Sequence, residues 1–212
     1  MNWLAHLALS PVDAPALRVG NVCGDFFTLA QRAELPPALR LGVQWHLAID
    51  AFTDDHPVVA RARSRFPASH RRVAGLLVDV LFDHLLARDW AHWMGGDLPS
   101  FTRAFYREAL KTSALPVPVR DNLTTMAAQD WLTGYATWLG VEFTLQRLAR
   151  RMSPRLARRC PMEPVPDLLA ALLPRLEEDF AAFWPDLCGH CALLPLPVTA
   201  PARCGRTPAS TV

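Results

Sequence analysis

The sequence predicts an all-α fold, an irregular bundle of about seven to nine helices, and three observations carry that expectation. Apolar residues recur at helical spacing through most of the 212-residue chain. No stretch alternates apolar and polar side chains as a half-buried strand would. Proline and glycine pairs, among them Pro36-Pro37 and Gly95-Gly96, fall between the periodic stretches, where they start or stop helices. A helical chain of this length can bury a substantial core as one domain, here expected over 1–190. Residues 191–212 are rich in Pro, Ala and Thr without periodicity and are expected to form a disordered tail.

Taken in order, 3–9 is a short apolar helix that stops at Ser10-Pro11 and contains His6. The next run, ALRVGNVCGDFFTLAQRAE, carries Asn21 and Asp25 four residues apart, on one face if the segment is helical. Gly20 and Gly24 weaken that helix but admit a close neighbour. Pro36-Pro37 opens GVQWHLAIDAFTDDHP, where His46 and Asp50 are again four apart among Val43, Leu47, Ile49 and Phe52. Between Pro57 and Arg72 the chain is strongly basic. The following stretch, VAGLLVDVLFDHLLARDW over 73–90, lacks proline and is apolar nearly all round, so it reads as the central buried helix. It carries Asp79, Asp83 and His84. Segments 98–111, 122–131 and 135–152 read as three more helices. The last ends in a second arginine cluster running to Arg159. A final helix is expected over 167–184, kinked or restarted at Pro174.

Composition removes several classes. Hydrophobic residues make up 51% of the chain, yet no apolar run reaches the roughly 18 residues of a membrane span. The N-terminus, MNWLAHLALS, lacks the basic start and cleavage site of a signal peptide, so a cytoplasmic protein is expected. A net charge of +2 gives no global signal for nucleic acid. Five scattered cysteines do not suggest a disulfide framework. Cys188-Gly-His-Cys191 has CxxC spacing but no second pair, which makes it a poor zinc or redox signature.

What remains is a set of polar residues on apolar helices: His6, Asn21 with Asp25, His46 with Asp50, and Asp79 with Asp83 and His84. A buried carboxylate must be paired, protonated or coordinated. Any one of these pairs can be a structural hydrogen bond. Four such segments in so apolar a chain favour a metal centre, and mixed imidazole and carboxylate donors suit Mn²⁺, Fe²⁺ or Zn²⁺. An all-oxygen set would suit Mg²⁺ instead. There is no GxSxG-type nucleophile.

MNWLAHLALS, GNVCGDF, GVQWHLAIDAFTDDHP and RRVAGLLVDVLFDHLLARDW, with QDWLTGYATWL and LEEDFAAFWPDL, together resemble the acyl carrier protein phosphodiesterases over about 1–187. The resemblance implies an all-helical relative of the HD-type metal phosphohydrolases. It also implies removal of 4′-phosphopantetheine from holo acyl carrier protein, usually with Mn²⁺. The sequence contains no His-Asp dipeptide; the reversed pair Asp83-His84 and the spaced pair His46/Asp50 stand in its place. On this basis Asp25, His46, Asp83 and His84 are expected to hold the ion. His6, Asp50 and Asp79 are expected as ligands, proton carriers or supports, and Asn21 as a donor to a phosphoryl oxygen or a buttress. The acidic carrier protein is expected to dock on Arg61, Arg65, Arg71 and Arg72, or on the second cluster from Arg147 to Arg159. Hydrolysis of a nucleotide or another small phosphoester is the alternative reading.

Overall fold

In the computed structural model, which describes residues 1–162 and 165–196, the expected helices are present and no strand occurs among the described residues. The first pair is α1 (Trp3–Leu9) and α2 (Pro15–Val22). A 3₁₀ turn at Gly24–Phe26 then leads to α3 (Leu29–Glu34), whose start is a capping box between Thr28 and Gln31. The run over 16–34 is thus not one helix: it breaks at Cys23, so Asn21 and Asp25 stand on different elements. Next come α4 (Pro37–Asp55), α5 (Pro57–Ser64), α6 (Ala74–Arg88) and α7 (Trp90–Trp93). They are followed by α8 (Leu98–Ala109), α9 (Val117–Ala128), α10 (Trp131–Gly134) and α11 (Trp138–Arg151). The described elements close with α12 (Pro154–Arg159) and α13 (Val165–Cys191). Nine of these elements are seven residues or longer; the one-turn pieces α3, α7, α10 and α12 are too short for periodicity to reveal.

The centre of the bundle is α6. Leu77, Val78, Val80, Leu81, Phe82, Leu85 and Leu86 are all buried, and α1, α5, α11 and α13 pack around them. Its low amphipathicity follows, because a helix covered on all sides has no polar face to present.

Two glycines set a close crossing of α2 and α4. A Cβ on Gly42 of α4 would lie 2.1 Å from the carbonyl oxygen of Leu17 on α2, and one on Gly20 would lie 2.1 Å from that of Leu39. Only hydrogen at both positions lets the two backbones touch. This contact brings Asn21 on α2 against His46 on α4.

The last helix departs from expectation. Instead of restarting at Pro174 and ending at Trp184, α13 runs through Pro174 and Pro185 to Cys191. Each proline removes one backbone donor, but buried Leu169, Leu176, Phe180, Phe183 and Leu187 anchor both sides of each break. Cys188 and Cys191 are free thiols on this helix. Past it, the Pro195 carbonyl accepts a hydrogen bond from the Trp45 indole at 2.8 Å, so the chain is packed at least that far. Of the disordered tail expected over 191–212, residues 191–196 are thus described and held to the fold, and 197–212 lie outside the described residues.

Candidate active site

Two imidazoles and one carboxylate meet where α1, α2 and α4 converge. His6 Nε2 lies 3.2 Å from Asp50 Oδ1, and His46 Nε2 lies 3.1 Å from Asp50 Oδ2. The rings stack at 4.2 Å between centroids. His46 Nε2 also lies 3.1 Å from Asp25 Oδ1. A Cβ on Gly24 would sit 2.3 Å from the His46 ring, so the 3₁₀ turn can fold over the imidazole only with glycine there.

The other ring nitrogens fix the tautomers. His6 Nδ1 donates to Asn21 Oδ1 at 2.9 Å, and His46 Nδ1 donates to the Asn21 carbonyl at 2.8 Å. The Asn21 amide nitrogen is itself committed to the His6 carbonyl and Ser10 Oγ, at 2.9 and 2.8 Å. That arrangement turns both Nε2 atoms toward Asp50, with His46 Nε2 also held against Asp25. His6 Nε2 is fully buried and has no hydrogen-bond partner, an expensive condition unless something else is bound there. Among the described residues, His6, His46 and Asp50 form the one His/Cys/Asp/Glu group whose donor atoms all fall within 4.8 Å of one another.

The electrostatics suit a cation. Burial, with His46 alongside, lowers the His6 pKa and keeps its ring neutral. Burial works against ionised Asp50, but His6 and the Met1 amine outweigh it and bring the carboxylate to about 2. For His46, burial pulls downward, and Asp25 and Asp50 overcome it to raise the pKa. A neutral imidazole and an ionised carboxylate are the forms that ligate.

Asp25, which touches His46, and Asp79, which shares the Met1 amine with Asp50, line a cleft of about 320 Å³ beside the cluster, together with Trp3, Arg63 and Arg151. Asp79 Oδ1 is 3.3 Å from the Met1 amine, and Arg63 pairs with Asp54. A larger cavity of about 590 Å³ lies elsewhere, beside Arg88, Trp93 and Glu177. Asp89 and Glu177 are already paired with Arg88, and with His92 they form no close ligand group among the described residues, so the smaller cleft is the functional candidate.

Several expected site residues take other positions. Both Asp83 oxygens accept backbone N–H bonds at the start of α1, from Leu4 at 2.7 Å and Ala5 at 3.2 Å. Burial pushes its pKa to about 7 in spite of these donors. His84 projects about 100° further round α6. Its Nδ1 donates to the Tyr135 carbonyl at 2.8 Å, and its ring meets Trp138 edge-on. Neither side chain joins the cluster. Asn21 orients both imidazoles, and its amide is unavailable to a phosphoryl oxygen. Arg61 and Arg65 are spent on buried Asp179, at 2.8 and 2.6 Å, whereas Arg71 and Arg72 are exposed. Sequence reasoning passed over Ser10, Arg63 and Arg151 as individual site residues. The arginines stood in runs expected to act as docking clusters, and only folding selects which of them turn to the cleft.

The fold and site together define an all-helical protein with a buried His–His–Asp centre at the edge of an arginine-bearing cleft. The chain belongs to the acyl carrier protein phosphodiesterase family, whose model matches residues 1–187. It is 36% identical over 159 residues to the acyl carrier protein phosphodiesterase of Serratia proteamaculans. Its identity to the Yersinia pestis protein of the same name is 34% over 163 residues. Each match covers 74% of this chain and 81% of the relative. No solved structure matches.

Proposed function

We propose that this protein hydrolyses the phosphodiester joining 4′-phosphopantetheine to a serine of holo acyl carrier protein, giving apo carrier protein and free 4′-phosphopantetheine. The carrying observation is the pair of Nε2 atoms converging on Asp50, beside a cleft that bears arginines, in a chain of this family. The site fits a divalent cation, Mn²⁺ foremost, held by His6, His46 and Asp50, with Asp25 as a further donor. Such a cation supplies Lewis-acid polarisation of the phosphoryl group and lowers the pKa of water.

The remaining work falls to the chain. Asn21 keeps both imidazoles in the ligating tautomer. Asp79 lines the cleft without engaging an imidazole and is placed to accept the proton of the attacking water. Arg63 and Arg151 offset charge on the phosphoryl oxygens. Water oxygen bonds to phosphorus, the bond to the serine oxygen breaks, and the proton taken from water ends on that oxygen. The phosphate leaves with the pantetheine arm. No described helix is long and apolar enough to cross a membrane, and the described cysteines are free thiols; a cytoplasmic location completes the reading.

Mass spectrometry of holo acyl carrier protein after incubation with the protein and Mn²⁺ tests the activity. Loss of the phosphopantetheine mass, blocked by EDTA and by Asp50→Ala, is the expected result. An unchanged mass beside cleavage of a nucleotide phosphodiester would assign a different substrate.

A further inference from the structure

We propose that the exposed face of α11, not the Arg61–Arg72 run, docks the acidic carrier protein and delivers its serine-linked arm to the cleft. This rests on the activity proposed above. Leu139, Phe143, Gln146 and Arg150 follow one another at helical spacing and are all exposed. Leu139 is 59% and Phe143 50% exposed, large apolar side chains at one end of a stripe that ends in arginines.

Charge and position identify the occupant. Between Trp138 and Cys160 stand six arginines and one glutamate, and none of the arginines forms an ion pair among the described residues. In the first cluster Arg61, Arg63 and Arg65 are tied to Asp179 and Asp54, which leaves only Arg71 and Arg72 there without an ion pair among the described residues. Arg147 and Arg150 line a groove of about 420 Å³ with Gln129, Phe143 and Gln146. The Arg147 guanidinium lies 4.2 Å from the Trp131 ring, and its Nε is buried without a partner.

The groove adjoins the active-site cleft through neighbouring residues. Trp131 stacks on Trp3 at 5.3 Å, Trp3 lines the cleft, and Arg151 lines it one helical turn beyond Arg147. A partner seated on α11 therefore lies against the mouth through which the phosphodiester enters. Carboxylates meeting Arg147 and Arg150 steer the encounter, and the apolar end at Leu139 and Phe143 gives contact area that a nucleic acid backbone would not use.

The test is steady-state cleavage of holo carrier protein by Arg150→Glu and Phe143→Ser, both at exposed positions, with an Arg71→Glu/Arg72→Glu control. Binding of apo carrier protein is measured in parallel by isothermal titration. We expect KM and Kd to rise at least tenfold in the α11 variants with kcat unchanged, and less than twofold in the control. Unaltered KM and Kd in the α11 variants, with wild-type cleavage intact, would overturn the docking face and leave the activity standing. Binding that α11 changes weaken, without cleavage by wild type, would uphold the face and overturn the activity. Equal affinity for single-stranded DNA at physiological salt would overturn the choice of partner.

Discussion

His6 Nδ1 lies 2.9 Å from Asn21 Oδ1, and that one hydrogen bond decides which nitrogen of the buried imidazole faces Asp50. The same asparagine, through its backbone carbonyl, sets His46. Asn21→Ala would remove the side-chain acceptor while leaving the carbonyl, so His6 alone loses its orientation. Supporting partners of this kind are worth about 10–100-fold in metal affinity. Mn²⁺ titration should show a weakening of that order, with helix content by circular dichroism preserved. Wild-type affinity in the variant would remove Asn21 from the account.

Gly24 tests the packing over His46. An alanine Cβ at this position would meet the ring at 2.3 Å, closer than any real contact, and the imidazole or the turn must shift. Gly24→Ala should lower activity by at least about tenfold through misplaced His46, since a displacement of about 1 Å costs on that scale. Its effect on unfolding should be smaller, about 1–3 kcal/mol, the usual range for overpacking. Denaturant melts and cleavage rates measured on the same preparation separate the two.

Asp83 separates a support from a ligand. Its carboxylate closes the N-terminus of α1 by accepting from Leu4 and Ala5, and α1 carries His6. Asp83→Ala should cost about 1–3 kcal/mol of stability, the desolvation cost of orphaned buried donors. At a temperature where the variant is folded, Mn²⁺ should still bind. Loss of binding in a fully folded Asp83→Ala protein would return this residue to the ligand set.

Much of this was legible beforehand and some was not. Helix bounds near Trp3–Leu9, Pro37–Asp55 and Ala74–Arg88 followed from apolar spacing and proline positions, because those signals are local. The His46/Asp50 pair followed too, since i and i+4 share a face on any helix. Which polar residues meet across helices did not follow. Asp83 and His84 are adjacent in sequence, yet one caps α1 and the other bonds Tyr135, because a 100° step on a helix buried all round points to different neighbours. Nor did spacing reveal that Arg61 and Arg65 face Asp179, more than a hundred residues away.

Asp179 supplies a pH signature of its own. Burial works against its ionisation, but hydrogen bonds and charge from Arg65 and Arg61 prevail and hold its pKa below the ordinary value. A depressed carboxylate stabilises the fold above its unfolded pKa of about 3.9 and loses that contribution as pH falls through the folded value. Asp179→Asn should therefore be less stable than wild type at pH 7. The gap should stay constant down to about pH 4.5 and narrow below about pH 4. Urea unfolding of both proteins across this range checks it; a gap that persists unchanged at pH 3 would remove the ion pairs as its source.

Anomalous diffraction at the manganese edge, from crystals grown with Mn²⁺, addresses the centre itself. The predicted result is a peak within bonding distance of His6 Nε2, His46 Nε2 and an Asp50 oxygen, lost in His46→Ala crystals. A peak on Asp83 or His84, or none in a protein that cleaves holo carrier protein in the presence of EDTA, would contradict it.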